Sequence, residues 1–418
     1  QETGARALFN AGGDGGIEGG VEGGGAEMKV LHVIPSLSLA HGGPSRAIRL
    51  IERALLAQGV EVETAATDDD GPGARKVSRC GTPIEEDGAV FRFFPKRSEF
   101  YKVAPGFARW IGRHVRDYDV VHIHALFSFT SVVAAWAARR AGVPYVLRPL
   151  GTLNRYGVTR RRPWLKRVSL KLIEGPILRH AAAVHFTAAA EQAEAEELGI
   201  PMRSAVIPLA VATGPVAEPG LFVARFPQLQ GKRIVLFLSR LDPKKNVEGL
   251  LRAFRLIEDS LPGTRLVIAG DGEAGYVAGL KRLANELGLA ERVVWTGYID
   301  GELKVSAYTT AQVFVLPSFS ENFGIAAAEA LMAGLPCVLG EGVAIAEEVA
   351  AAGAGLAVEP NPENIARGII TVLSDNALRA AMGGRAAAFS REKYSVEAMG
   401  LGLLRLYEGI LNKSCSTR

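Results

Sequence analysis

Short apolar segments alternate with helical segments from residue 28 onward. The first set of apolar runs, each predicted to be a strand, lies at 29–34, 60–64, 120–123, 145–148, 183–186 and 205–207. Helical patterns separate the strands, such as 45–58, closed by Gly59, and the Ala-rich segment 131–141, closed by Gly142. Short apolar strands that alternate with helices form parallel sheets covered on both faces. The pattern therefore predicts an α/β fold.

The alternation is interrupted once, in the segment 214–231, which contains three prolines and which we interpret as a linker. A second set of apolar runs follows, at 234–238, 265–269, 293–296, 313–316, 337–339 and 356–358. Two such sets predict two doubly wound, Rossmann-like domains, 28–213 and 232–392, that face each other across a cleft. Apolar residues at helical spacing near the C-terminus predict a closing helix within 393–418.

The composition excludes several classes of protein. The chain has 418 residues, of which 48% are hydrophobic, so it can bury large cores without disulfides or metals. No run of about 18 charge-free apolar residues predicts a membrane span. Three widely spaced cysteines exclude a disulfide framework and a Cys-x-x-Cys metal site, and they favour a cytoplasmic location. Ten of residues 1–27 are glycine, so we expect a disordered tail there.

The charge is concentrated in one segment. The net charge is +4, which is no signature of a nucleic-acid-binding protein, and we expect no nucleic acid partner. Residues 148–180 nevertheless contain nine Lys or Arg and one acidic residue. The stretch 160–171, which includes Trp164, is predicted to be a solvated helix face, and the alternative is contact with a membrane surface or an anionic acceptor.

Two motifs lie where strands of the first set end. Gly42 and Gly43 follow the first strand and precede a helix, where glycine allows close approach of a ligand and the helix N-terminus favours anions. An ordinary strand-to-helix turn is equally consistent with them. His122 and His124 end a buried strand, and we expect their rings to lie on opposite faces. His122 is predicted to be buried and hydrogen-bonded, and His124 to lie nearer the cleft, so a paired-His metal site is not expected.

The second set contains two further motifs. Arg240 and Lys245 follow the strand 234–238, and cations at such a strand end suit a pyrophosphate, although a solvated basic loop has the same composition. Glu329 lies in an Ala-rich helix, where a buried carboxylate needs a partner, and a ribose diol would serve. Gly324 and the amides that follow it, from Ile325, form a free helix N-terminus that suits a diphosphate, and Glu321, Asn322 and Phe323 precede it. Two carboxylates also suggest a glycosidase, but that chemistry needs neither the basic loop nor the free amides.

Taken together, these motifs resemble those of the retaining, family-4 glycosyltransferases of GT-B fold. The resemblance extends over residues 28–412 and rests on Gly42-Gly43, His122-Ile123-His124, Arg240 with Lys245, and Glu321-Asn322-Phe323-Gly324 leading to Glu329. Within the family, the run 148–153 followed by the basic stretch is similar to enzymes of bacterial polysaccharide assembly. Asn322 stands where a glycine is commoner in the family.

The resemblance implies a role for each motif. Arg240 and Lys245 would neutralise the diphosphate of a nucleotide sugar, and Glu329 would bind the ribose. Glu321 would hold hydroxyls of the sugar, helped by backbone amides of residues 322–325. Gly43 would approach the phosphates when the domains close. His124 would contact the transferred sugar, and the final helix would cross back to the first domain.

The sequence thus predicts an enzyme that moves a sugar from a nucleoside-diphosphate sugar to an acceptor hydroxyl with retention of configuration. The family works without a metal, so we expect no metal and no cofactor besides the donor substrate. The acceptor is expected to be a glycan or a lipid-linked saccharide, in the cytoplasm or peripherally at the inner face of the plasma membrane. A nucleotide-sugar epimerase, a phosphorylase and a non-catalytic binding module are the alternatives.

Overall fold

The structure is a computed structural model. It describes residues 28–38, 43–71, 74–75, 80–99, 101–153, 168–211, 218 and 220–415. The predicted tail 1–27, Gly42 and the basic residues 160–167 lie outside the described residues.

The first half of the chain builds an eight-stranded sheet. Its strands, β1 to β8, are Lys29–Ile34, Glu61–Thr67, Pro83–Glu86, Ala89–Phe94, Val120–His124, Tyr145–Arg148, Ala183–Phe186 and Ser204–Val206. The strand order is β3-β4-β2-β1-β5-β6-β7-β8, and all neighbours are parallel except the β3–β4 hairpin. The helices of this half, α1 to α5, are Gly43–Leu56, Pro105–His114, Phe129–Ala141, Gly175–His180 and Ala189–Glu196.

The second half builds a six-stranded parallel sheet. Its strands, β9 to β14, are Arg233–Leu238, Thr264–Ala269, Val293–Gly297, Val313–Leu316, Cys337–Gly340 and Gly355–Val358. The order β11-β10-β9-β12-β13-β14 is that of a doubly wound fold, in which ligands bind beyond the carboxyl ends of the strands. The helices α6 to α12 are Leu221–Arg225, Val247–Leu256, Ala274–Glu286, Gly301–Thr310, Ile325–Met332, Ala346–Ala351 and Pro362–Ser374.

Two long helices end the chain and return it to the first sheet. They are α13, Asn376–Tyr394, and α14, Val396–Cys415. The α14 helix packs against α1, where Gly400 lies against the backbone carbonyl of Ala54. The sequence prediction of two doubly wound domains with a returning C-terminal helix is therefore confirmed. Among the described residues, no helix is both long enough and apolar enough to span a bilayer.

Several elements lie where the sequence predicts none, and one of them falls in the predicted linker. The short helix α6 falls inside the segment 214–231 that we interpret as a linker, and its Phe222 is fully buried. The exact domain boundaries, 28–213, 232–392 and 393–418, remain predictions.

Candidate functional site

The two sheets meet across a cleft at the carboxyl ends of their strands, and the first residues of α1 and α10 contact each other there. A Cβ atom added to Gly43 would lie 3.4 Å from Ile325 Cδ1. Farther along the cleft, Arg46 Nη2 donates a hydrogen bond to the hydroxyl of Tyr298, at 3.0 Å. The structure is therefore closed, with residues of both sheets facing one another.

Lys245 ends a tight turn in the loop that follows β9. Asp242 caps the 3₁₀ turn Pro243–Lys245 by accepting a hydrogen bond from the Lys244 amide, at 3.1 Å. The Lys245 side chain is buried, and its ammonium group forms an ion pair with the carboxylate of Glu321. Burial, assisted by the cations of Lys244 and Arg240, lowers the pKa of Lys245 to about 7, whereas the Glu321 carboxylate favours the charged form. The structure thus brings three of the predicted residues into one corner of the cleft.

Asn246 fixes this turn, a role that the sequence pattern does not reveal. Its backbone is left-handed, with φ of +56°, a conformation that asparagine tolerates better than most residues. Its side-chain nitrogen, Nδ2, donates hydrogen bonds to the backbone carbonyls of Pro317 and Pro360, at 3.2 and 2.7 Å. Because the bond to Pro317 ties the basic turn to the segment before Glu321, it holds Lys245 and Glu321 in register.

The segment from Glu321 to Gly324 ends in a helix N-terminus with free amides. The Glu321 amide donates to the carbonyl of Gly342, at 2.8 Å, and the Phe323 ring is buried against Tyr394, with centroids 5.4 Å apart. Gly324 has a φ of +93° and precedes α10. No described side chain caps the N-terminus of this helix. The first amides of α10 therefore have no side-chain cap among the described residues, and their binding of an anion stays a prediction.

Glu329 has two protein partners in α9. Lys304 Nζ donates to Glu329 Oε1 at 2.7 Å, and the Tyr308 hydroxyl donates to Oε2 at 2.9 Å. Each carboxylate oxygen can accept a further hydrogen bond, so the carboxylate is oriented but not saturated. The sequence predicts that Glu329 needs a partner, but it does not identify Lys304 or Tyr308, because no pattern links α9 to α10.

The histidine rings lie on one face of the first sheet, so the expectation of opposite faces is wrong. His122 and His124 are two residues apart on β5, and side chains at that spacing point to the same side of a strand. Their rings stack with centroids 4.2 Å apart, and His32 Nδ1 lies 2.8 Å from His124 Nε2. The ring of His124, which we expected nearer the cleft, is fully buried, as is that of His122. The burial of His122 agrees with its prediction, whereas nothing in the sequence pattern singles out His32.

The histidine cluster is neutral and is tied to the final helix. His122 Nδ1 lies 2.7 Å from the hydroxyl of Tyr407 in α14. Burial, together with the nearby Arg148 cation, lowers the pKa of His32 and of His185 to about 3. One nitrogen each of His32, His122 and His124 lies within 4.8 Å of the others, which is within reach of a metal ion. A buried arginine cation beside the rings opposes metal binding, so we place no metal there.

Comparison with known proteins places these features in a family. Residues 224–389 match the family described as "Glycosyl transferases group 1", and residues 42–210 match the "Glycosyl transferase 4-like domain". An uncharacterized glycosyltransferase of Methanocaldococcus jannaschii is 34% identical over 178 residues, which cover 42% of this chain and 45% of that protein. A D-inositol 3-phosphate glycosyltransferase of Streptomyces avermitilis is 30% identical over 312 residues, which cover 67% of this chain and 62% of the relative. The matched segments thus span less than two thirds of either relative.

Solved structures show the same fold. Sucrose-phosphate synthase from Thermosynechococcus elongatus aligns with a TM-score of 0.71 at 22% identity, covering 93% of this chain and 100% of that chain. HepE from Anabaena, solved in complex with UDP and glucose, aligns with a TM-score of 0.70 at 19% identity, covering 92% and 100%. With two domain matches between residues 42 and 389, two facing parallel sheets and a returning helix, the chain belongs to the family-4 glycosyltransferases of GT-B fold.

Proposed function

We propose that the chain transfers a sugar from a nucleoside-diphosphate sugar to an acceptor hydroxyl, with retention of anomeric configuration. The observation that carries this proposal is the corner formed by Lys245, Glu321 and the free amides at the start of α10. It combines a cation, a carboxylate and unpaired amide donors within one closed cleft. A diphosphate needs the cation and the amides, and a sugar needs the carboxylate.

The donor is held by the second domain. Arg240, Lys245 and the amides near Ile325 bind the diphosphate and stabilise the charge that develops on it as it leaves. This electrostatic stabilisation takes the place of a divalent metal. Glu329, oriented by Lys304 and Tyr308, accepts hydrogen bonds from the ribose hydroxyls. In support of this donor class, the related structure of HepE contains UDP and glucose.

The sugar lies between the two domains. Glu321 and the amides of Asn322 and Phe323 hold its hydroxyls, and Gly43 approaches the phosphates. His124, whose fully buried ring has an unpaired Nδ1, is the residue of the first domain that we propose to contact the sugar. The acceptor hydroxyl attacks the face from which the diphosphate departs, so the configuration is retained. Closure of the domains excludes water and limits hydrolysis of the donor.

The acceptor is a glycan or a lipid-linked saccharide, and transfer takes place in the cytoplasm at the inner face of the membrane. Support comes from the C-terminal end of the basic stretch, which the structure describes from residue 168 onward. There the side chains of Val168 and Leu172 are 49% and 67% exposed, next to Lys171. Exposed apolar side chains next to cations suit the surface of an anionic bilayer. Vesicle sedimentation with anionic and neutral lipids tests this contact separately from catalysis.

A transfer assay tests the function. The protein is incubated with UDP-, GDP-, ADP-, CDP- and dTDP-sugars and a panel of saccharide acceptors, and NMR determines the anomeric configuration of the product. We expect one donor to give an α-linked product from an α-linked donor, and Glu321→Gln to lower the rate about a hundredfold or more. Glu286→Gln, on the exposed face of α8, is the control and should keep the wild-type rate.

The other outcomes distinguish the alternatives. Conversion of the donor without an acceptor would identify an epimerase, and release of a sugar phosphate would identify a phosphorylase. Binding of a nucleotide without turnover would identify a non-catalytic module. An inverted product, or full activity of Glu321→Gln, would contradict the proposed chemistry.

A further inference from the structure

A loop of the first domain and a side chain of the second meet in the cleft without space between them. The loop follows β6 and contains Gly151, and the side chain is Asn322. A Cβ atom added to Gly151 would lie 2.7 Å from Asn322 Cγ and 3.1 Å from Asn322 Cβ. The first of these distances is shorter than real Cβ atoms show, so in this closed arrangement a side chain at residue 151 would require the Asn322 side chain or the two domains to move.

Gly151 is held firmly by its own domain. Its φ is +70°, and the preceding Leu150 is also left-handed, with φ of +56°. The Gly151 amide donates to Glu191 Oε1 at 3.1 Å, and Glu191 Oε2 accepts from the amide and the hydroxyl of Thr187, both at 2.8 Å. Glu191 is buried, so these hydrogen bonds hold the loop in a fixed position relative to the first domain.

The backbone around Asn322 is held by the second domain. It lies between Glu321, whose backbone pairs with Gly342 and Ala344, and Phe323, whose ring is buried. Asn322 Oδ1 is inaccessible to solvent and has no hydrogen-bond partner among the described residues. The backbone on each side of the contact is therefore fixed by its own domain.

We propose that Gly151 and Asn322 form the steric stop that sets how far the two domains close. The inference rests on the proposed function in one respect. Closure matters for the reaction because it brings the first domain to the donor. The stop fixes the distance between Gly43 and the phosphates and between His124 and the sugar, and reaction rates depend steeply on such distances. Asn322 and Gly151 are therefore positioning residues that act through the geometry of the closed cleft.

Paired substitutions test the stop. Gly151→Ala adds a methyl group at the contact, Asn322→Gly removes the obstructing amide, and the double variant combines both. Gly142→Ala is the matched control, because Gly142 has nearly the same φ, +74°, but no atom within 4 Å of its Cβ position. The strain of alanine at positive φ is present in open and closed states alike, so it lowers stability in both Ala variants without changing closure.

Two readouts separate closure from binding and folding. The first is the radius of gyration from small-angle scattering, measured with and without saturating UDP or GDP. The second is the transfer rate, measured beside nucleoside diphosphate affinity by calorimetry. We expect Gly151→Ala to be more open, to lose transfer about tenfold to a hundredfold, and to bind the nucleotide with an affinity within twofold of the wild type. Adding Asn322→Gly should restore compaction and raise the transfer rate at least tenfold above that of Gly151→Ala.

Three results would overturn the proposal. They are an unchanged radius of gyration in Gly151→Ala, a loss of the same size in Gly142→Ala, or no rescue in the double variant. If the wild type transfers no sugar, the proposed function fails, but the scattering comparison still decides whether the stop exists.

Discussion

Lys245 is the residue of the site whose charge depends most on its surroundings. Its ammonium group is buried, and burial lowers its pKa to about 7, well below the ordinary value of 10.5. The charged form is stabilised by the carboxylate of Glu321 and, in the proposed complex, by a diphosphate. Binding of the anion therefore favours protonation of Lys245.

The affinity for a nucleoside diphosphate should therefore fall as the pH rises from 7 to 9. The protonated lysine binds the anion and the neutral one does not, so the loss approaches about tenfold per pH unit above the pKa of the free enzyme. Calorimetry at several pH values measures this slope. Lys245→Met should bind more weakly at pH 7 and show a flat profile. Equal slopes in the two proteins would contradict the assignment.

Single residues were predictable where their chemistry is local. The motif from Glu321 to Glu329 could be recognised from the sequence, because its carboxylates, its glycine and the start of the helix are contiguous. Lys304 was not predictable, because its contact with Glu329 depends on how α9 packs beside α10. His32 was missed for the same reason, since only the β1–β5 register places it next to His122.

At the scale of elements, the contact between α14 and α1 holds the C-terminus on the first domain. A Cβ atom added to Gly400 would lie 2.6 Å from the carbonyl oxygen of Ala54 and 3.3 Å from its Cβ. The helices therefore approach as closely as their backbones allow at this point. Gly409, on the same helix, has no atom within 4 Å of its Cβ position.

Substitution of these two glycines by alanine should have opposite effects. Both gain helix propensity, which is worth about 1 kcal/mol. Gly409→Ala should therefore raise the free energy of unfolding by about that amount, whereas Gly400→Ala should lower it by about 1–3 kcal/mol because the helices must separate. Denaturant unfolding measures both values. Stabilisation by Gly400→Ala would show that the two helices are not in close contact.

Most of the buried parallel strands were predictable, because each is a short apolar run between turn residues, but β4, which is buried and parallel to β2, was not predicted. Strand β3 was not predicted, since Pro83–Glu86 is exposed throughout and has no apolar pattern. Helix α13 was also missed. Its sequence is rich in alanine and contains Gly383 and Gly384, so it has little contrast between faces. Neighbouring elements, rather than its own periodicity, bury Met382 and Tyr394.

At the scale of the whole molecule, the chain crosses between the domains at a point that also touches the site. The Val211 amide donates to the backbone carbonyl of Tyr394, at 2.9 Å, where the two crossing segments meet. The Tyr394 ring packs against Phe323, and its hydroxyl donates to Glu348 Oε1 at 2.6 Å. The segment proposed to hold the sugar is therefore packed directly on the hinge between the domains.

The most direct test of donor binding is a thermal-shift panel of UDP, GDP, ADP, CDP and dTDP, each with EDTA and with Mg²⁺. A ligand that binds the native state raises the melting temperature, and the rise grows with the logarithm of the ligand concentration divided by its Kd. We predict a shift with one nucleoside diphosphate, of equal size with EDTA and with Mg²⁺, that is lost in Glu329→Gln. No shift with any of the five, or a shift that requires Mg²⁺, would contradict a metal-independent nucleotide-sugar site in the second domain.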